Sequence, residues 1–148
     1  MSAARKIAGR TFAALAVPNY RKYYVGQIIS NAGTWMQSVA QGWLILQLTD
    51  KNGFYLGISV ALQYLPMLLL GSYGGLVVDR SDKRHVLYWT QSSAGAFALV
   101  LGILVATGHA AVWEVFVLSL ALGVSNMFDV PARQAFIQEM VGRDLIAN

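Results

Sequence analysis

A chain of 148 residues in which 56% of side chains are hydrophobic and 12% charged carries about half the charge of a soluble domain, where roughly a quarter is usual. That shortage excludes an ordinary water-soluble globule and points to a bilayer as the solvent. The absence of cysteine excludes a disulfide framework and a thiolate metal site. The net charge of +4 does not describe a nucleic-acid-binding module, because the bases sit in short segments between apolar stretches and not on one folded face.

In chain order, Arg5, Lys6 and Arg10 precede a short apolar stretch, Phe12 to Val17, which falls short of the core of a secretory signal and is followed at once by Arg21 and Lys22. Residues 1–22 therefore read as an uncleaved cytoplasmic arm lying along anionic headgroups. Charge-free windows then run from Tyr23 to Thr49, Asn52 to Val78 and His85 to Trp113, each longer than the ~20 apolar residues that cross a bilayer. A fourth window, Val115 to Phe128, is too short alone. It crosses if its helix runs from about 110 to 130, with Glu114 and Asp129 near the two interfaces. The expected fold is an all-α membrane protein of four transmembrane helices at about 23–49, 54–78, 86–107 and 110–130, followed by a cytoplasmic tail, 131–148.

The first span carries Gln27, Asn31, Thr34, Ser38 and Gln41 at intervals of three and four, so they share one helical face. Polar side chains facing lipid go unsatisfied at a cost of kilocalories each, so this face must look at protein or water. It serves either as glue between helices, through modest interhelical hydrogen bonds, or as the wall of a cavity. Seven polar residues, counting Ser30 and Gln37, exceed what pairing needs, which favours a cavity. The second span holds Gly71 and Gly75 four apart, with Ser72 and Gly74 beside them, a surface on which another helix can approach closely. Pro66 interrupts the same span and removes one backbone donor. In the fourth span Ser119, Asn126 and Asp129 form a thinner polar stripe with Gly123 on the same side, so two polar-faced helices are available to line one space.

With the N-terminus in the cytoplasm, every base except Lys51 falls on the cytoplasmic side: Arg5, Lys6, Arg10, Arg21, Lys22, Arg80, Lys83, Arg84, Arg133 and Arg143. The positive-inside rule fixes that orientation, with both termini of the chain inside. Lys51 and Gly108 mark short outward turns, which makes consecutive helices antiparallel neighbours. His109 has no Cys, His or carboxylate at metal-ligand spacing and reads as a solvated turn residue. His85 reads as an interfacial one. No metal and no cofactor is expected. The chain stops at Leu145-Ile146-Ala147-Asn148 without a hydrophilic tail, which reads as a polypeptide that continues.

The segment Gly75-Leu76-Val77-Val78-Asp79-Arg80-Ser81-Asp82-Lys83-Arg84 resembles the loop between the second and third helices of the major facilitator superfamily. There a glycine, an aspartate, a base and a closing basic pair recur at these spacings, and the usual glycine before the pair is Asp82 here. The stretch Asn126 to Phe136, with Asp129-Val130-Pro131-Ala132-Arg133 at its centre, is similar to the exit of the fourth helix in the group that includes enterobactin exporters and macrolide-type efflux proteins. Asn19-Tyr20-Arg21, Gly26-Gln27 and Trp43 to Thr49 fit the same group. The resemblance implies twelve helices in two halves with substrate between them near mid-membrane, of which four are present.

It further implies alternating-access export of a small organic molecule, siderophore-like or drug-like, driven by protons, from a plasma membrane that would be the inner membrane of a bacterium. The partners implied are the lipid bilayer, the substrate, protons and the remaining transporter helices. An enzyme is not expected, and no G-x-x-x-x-G-K-[ST] loop is present for nucleotide-driven transport. Two alternatives stay open: a small four-helix exporter acting as an oligomer, and a non-transporting scaffold subunit. For the loop, Gly75, Asp79, Arg80, Lys83 and Arg84 are expected to form a conformational latch, with Lys83 and Arg84 folding back onto Asp79 and the resemblance adding Asp129. No mid-membrane carboxylate lies in the first three spans, so the titrating site of a proton antiporter is Asp129 or lies outside this chain. Trp35, Trp43 and Tyr64 could stack on an aromatic ligand, but single aromatics in such helices more often anchor at interfaces.

Overall fold

A computed structural model describes residues 18–141; most of the expected N-terminal arm, and the tail from 142 with Arg143, lie outside them. The described residues form four helices, α1 (Pro18–Leu48), α2 (Gly53–Asp79), α3 (Lys83–Ala106) and α4 (Val112–Val141), with no strand among them. Helices α2, α3 and α4 are long and apolar enough to cross a membrane. Helix α1 has the length, at 31 residues, and its polar stripe accounts for its lower hydropathy. The outward faces are strongly apolar. Leu68 is 82% exposed, Trp89 77% and Trp35 73%, surface that only lipid or further protein can cover.

The helix ends follow from local chemistry. Pro18 opens α1, where a proline costs no hydrogen bond. Asp50 and Lys51 take positive φ angles, 50° and 63°, to reverse the chain within a few residues. Asn52 then caps α2 by accepting the N–H of Phe54 at 3.0 Å. Gly108, at φ 71°, closes α3, and the N–H of His109 reaches back to the carbonyl of Leu104 at 3.0 Å, the hydrogen-bonded stop in which glycine carries no steric penalty. Glu114 accepts the N–H of Ala111 at 2.9 Å, which sets the start of α4 and places a carboxylate at the positive end of the helix dipole.

Helix α4 is the centre of the bundle. It packs along α2 and α3 and also touches α1, whereas α1, α2 and α3 meet one another only sparsely. It also runs past the expected end at 130, through Pro131, to Val141. A proline removes one donor, but packing holds the helix beyond it. Ala132 is fully buried with Val78 and Leu87, and Phe136 meets Tyr23 edge to face at 5.2 Å between ring centroids. This apolar cluster closes the end of the bundle that carries the α2–α3 loop. A second, of Ile45, Leu101, Val115 and Leu118, closes the opposite end. Polar side chains occupy the layer between.

Two glycines set the α2–α4 distance. A Cβ on Gly123 would lie 3.0 Å from the carbonyl carbon of Gln63 and nearer still to its oxygen, and one on Gly74 would lie 2.6 Å from the carbonyl oxygen of Met127. On the small-residue surface of α2 the close approach is made at Gly74. Gly75 has nothing within 4 Å and Gly71 meets only a side chain of its own helix, Met67 at 3.9 Å.

Candidate functional site

The polar stripe of α1 divides into three parts along the helix. At one end Gln41, 4% exposed, donates through Nε2 to Ser119 Oγ at 2.5 Å and lies 3.5 Å from Ser59 Oγ. Ser119 donates its own hydroxyl proton to the carbonyl of Val115 at 2.7 Å, so at 2.7 Å from Ser59 it can only accept. Ser59 therefore donates. The result is a buried, satisfied knot joining α1, α2 and α4, which is the glue role. In the middle of the helix, Thr34 and Ser38 donate to the carbonyls one turn back, those of Ser30 and Thr34, at 3.1 and 3.0 Å. Such hydroxyls need no partner on another helix.

At the other end Gln27 and Asn31 meet a cation from α4. Arg133 donates through Nη1 to Gln27 Oε1 and, at 3.1 Å, to Asn31 Oδ1. Its Nε and Nη2 grip Asp129 Oδ2 at 3.1 and 2.5 Å. The second carboxylate oxygen of Asp129 accepts the hydroxyl of Thr90 on α3 at 2.7 Å. Asp129 is buried at 8% exposure, so this charge-assisted pair, one turn apart on α4, ties α1, α3 and α4 together. Arg133 reads from sequence as a base of the cytoplasmic tail. With α4 continuing past Pro131 it turns inward instead, and the i, i+4 spacing of Asp129 and Arg133 is the signal that could have shown the pairing.

Beside the pair lies a cavity of about 270 Å³, lined from all four helices. Thr34, Gln37 and Ser38 face it from α1, Gln63 from α2, Thr90 and Gln91 from α3, and Asn126, Asp129 and Arg133 from α4. Of the residues expected to line a cavity, Thr34, Ser38 and Asn126 do so. Gln27 and Asn31 are engaged by Arg133 at its margin, and Gln41 and Ser119 sit in the buried knot. Trp35, Trp43 and Tyr64 are exposed on outer faces.

The loop residues make other contacts than a clasp on Asp79. Lys83 Nζ lies 3.2 Å from Glu139 on the extended end of α4, and Arg84 stacks over the ring of Tyr88 at 5.7 Å. Among the described residues neither base pairs with Asp79, which is exposed at the end of α2 beside Arg80. Asp129 turns to Arg133 and not to the loop. Asp82, in the place of the usual glycine, caps α3 by accepting the N–H of Arg84 at 2.9 Å. A hydrogen bond from the His85 side chain, and then that backbone N–H, hold its carboxyl below the usual carboxylate range.

Among the described residues no cluster of His, Cys, Asp or Glu could hold a metal ion. Apolar outer faces, long helices and a polar cavity are the architecture of a multi-pass membrane transporter. Residues 9–148 match the transmembrane secretion effector family, and the chain belongs to that family, an exporter group of the major facilitator superfamily. It is 29% identical over 109 residues to the staphyloferrin A transporter of Staphylococcus aureus, an alignment covering 73% of this chain and 27% of that protein. It is 28% identical over 113 residues to macrolide efflux protein A of Streptococcus pyogenes, covering 75% of this chain and 28% of the other. The chain thus spans little more than a quarter of the length of these curated relatives. No solved structure matches it.

Proposed function

We propose that this chain is the N-terminal portion of a secondary exporter that moves small organic molecules, siderophore-like or drug-like, out across a plasma membrane by alternating access, driven by proton entry. The remaining transporter helices complete the path. The supporting observation is the polar cavity inside an apolar bundle. Among the described residues the side-chain amides of Gln37, Gln63 and Asn126 make no hydrogen bond there, and within a membrane an amide left so is costly unless water, solute or further protein meets it. The relatives that carry a substrate in their names, staphyloferrin A and a macrolide, support a small organic cargo. The test is accumulation of a labelled macrolide and a labelled siderophore in cells with and without the complete transporter. Lower accumulation that a protonophore restores is expected; equal accumulation of both compounds with and without the protein would sink the export reading.

The orientation follows from the bases. Single cysteines at Lys51 and Gly108 are expected to react with an impermeant thiol reagent in intact cells, and one at Ser81 only after permeabilisation. Labelling of the Ser81 variant in intact cells would reverse the topology.

Asp79, exposed and without a base from its own loop, is proposed to latch onto helices beyond this chain. Asp79→Asn in the complete transporter is expected to leave abundance near wild type and to reduce export sharply, because a few kcal/mol between transport states is enough to shift their populations. Wild-type export at equal abundance would make the loop a topology signal only.

A further inference from the structure

Resting on the cytoplasmic placement of the α2–α3 loop, we infer that the outer face of α3 binds an anionic phospholipid of the inner leaflet, its phosphate held by the Arg84 guanidinium over the ring of Tyr88. The inference starts from depth. Helix α3 turns Thr90, Gln91 and Ala98 toward the cavity and exposes Tyr88, Trp89, Leu99 and Ile103 on its outer side. The exposed rings of α3 thus sit in its first two turns, and the large exposed side chains deeper in are aliphatic. Tyrosine and tryptophan that face lipid collect at the headgroup level, where the ring meets hydrocarbon and the O–H or N–H meets polar groups. On α1 and α2 the pattern differs. Trp35 and Tyr64 are exposed near the middle of their helices, a depth at which an O–H or N–H calls for further protein and not for lipid.

The contacts of Arg84 decide the charge. Asp82, its nearest carboxylate in sequence, is turned to the helix cap: one oxygen accepts the backbone N–H of Arg84 at 2.9 Å and the other lies 3.0 Å from His85 Nδ1. Glu139 is taken by Lys83. Among the described residues the Arg84 guanidinium makes no ion pair. Its Nη2 donates to Tyr88 Oη at 3.4 Å, and its central carbon lies 5.7 Å from the centre of that ring. Both partners are neutral, so the positive charge is kept while the ring limits where it can sit. The N–H groups left over form a fork that fits two oxygens of a phosphate, and the inner leaflet is the anionic one. Below it, Leu99 lies about 16 Å beyond Tyr88 along the helix axis, close to the ~15 Å of hydrocarbon in one leaflet. An acyl chain whose headgroup is held at Arg84 therefore runs over Ala96 and Leu99 and ends on α3.

The test measures lipid binding to the complete transporter in a neutral detergent by native mass spectrometry. The probes are phosphatidylglycerol and phosphatidylcholine with the same acyl chains, and glycerol 1-phosphate as a free headgroup. Phosphatidylglycerol is expected to bind more tightly than phosphatidylcholine, and glycerol 1-phosphate not to displace it at equal concentration. Arg84→Gln should weaken phosphatidylglycerol binding by about fivefold, the order of one base at an anionic surface, and Arg84→Lys should keep most of it. Tyr88→Leu leaves every charge in place and should still cost about threefold, because the guanidinium loses its seat. Arg80→Gln and Lys51→Gln, which remove a base elsewhere, should change it little. All these side chains are exposed, so the variants fold.

Four results would each overturn the inference. Equal binding of the two lipids would mean that no anionic site exists, and unchanged binding in Arg84→Gln that further transporter helices cover this face. Arg80→Gln as damaging as Arg84→Gln, or a silent Tyr88→Leu, would reduce the site to diffuse attraction by the loop. Displacement by glycerol 1-phosphate at equal concentration would make it a site for free phosphates. Binding in detergent does not depend on which way the chain crosses the membrane, so an error of topology would show in the Ser81 labelling and not here.

Discussion

Asp129→Asn is expected to lower the folded abundance of the protein severely, more than any other single polar substitution in the described residues. The change leaves the Arg133 guanidinium inside the bundle with neutral acceptors only, and removing one partner from a buried ion pair costs about 3–5 kcal/mol. The side chains of Asp129 and Arg133 are 11% and 24% exposed, so little screening by water reduces that figure. Restoring neutrality with Arg133→Gln in the same chain should recover much of the loss, since two amides one turn apart can still hydrogen-bond. Quantifying the detergent-extracted, monodisperse fraction of each single variant and the double variant gives the answer. Equal destabilisation by the double variant would mean that the pair acts through packing and not through charge.

The second large effect concerns the α2–α4 crossing. Gly74→Ala and Gly123→Ala each place a methyl group against the backbone of the facing helix, at Met127 and at Gln63. A carbonyl cannot rotate away as a flexible side chain can, so the helices must part. Overpacking of this kind costs roughly 1–3 kcal/mol, and Gly123→Leu should abolish assembly. Gly75→Ala, one residue from Gly74 on the same helix, meets nothing within 4 Å and should be silent in the described bundle. A thermal-shift comparison of the three alanine variants separates a specific contact from a general intolerance of α2: if Gly75→Ala lowers the melting point as much as Gly74→Ala, the crossing is not where the strain arises.

These two sites mark where sequence reading succeeds and where it stops. Length, charge gaps and hydropathy make the all-helical membrane fold legible, because the bilayer imposes one spacing on every span. The loop motif and the fourth-helix exit made the family legible as well. Periodicity also shows that Gln27 to Gln41 share a face, but not what each member meets. That depends on which helix lies opposite, so Gln41 and Ser119 went to a buried knot while Thr34 and Ser38 stayed at the cavity. Arg133 was hidden because the fourth span was measured only as far as the interface, at Asp129 and about residue 130, and a base beyond the end of a span belongs to the loop. Only the packing of Ala132 and Phe136 carries the helix on and turns Arg133 inward. The small-residue surface of Gly71, Ser72, Gly74 and Gly75 was legible, but spacing alone does not say which of its glycines the partner helix crosses, and it is Gly74.

The central place of α4 has a consequence for how the protein comes into being. As the chain leaves the ribosome, α1, α2 and α3 enter the membrane with few contacts to hold them to one another. Gln41 and Ser59 lack Ser119, Thr90 lacks Asp129, and the glycine surface at Gly74 lacks Met127. Three helices are then lodged in lipid with these polar groups unanswered, at a cost that only the fourth helix relieves. Synthesis past Asp129 and Arg133 is what joins these four spans into one body, so α1, α2 and α3 stay loosely held until the fourth helix arrives.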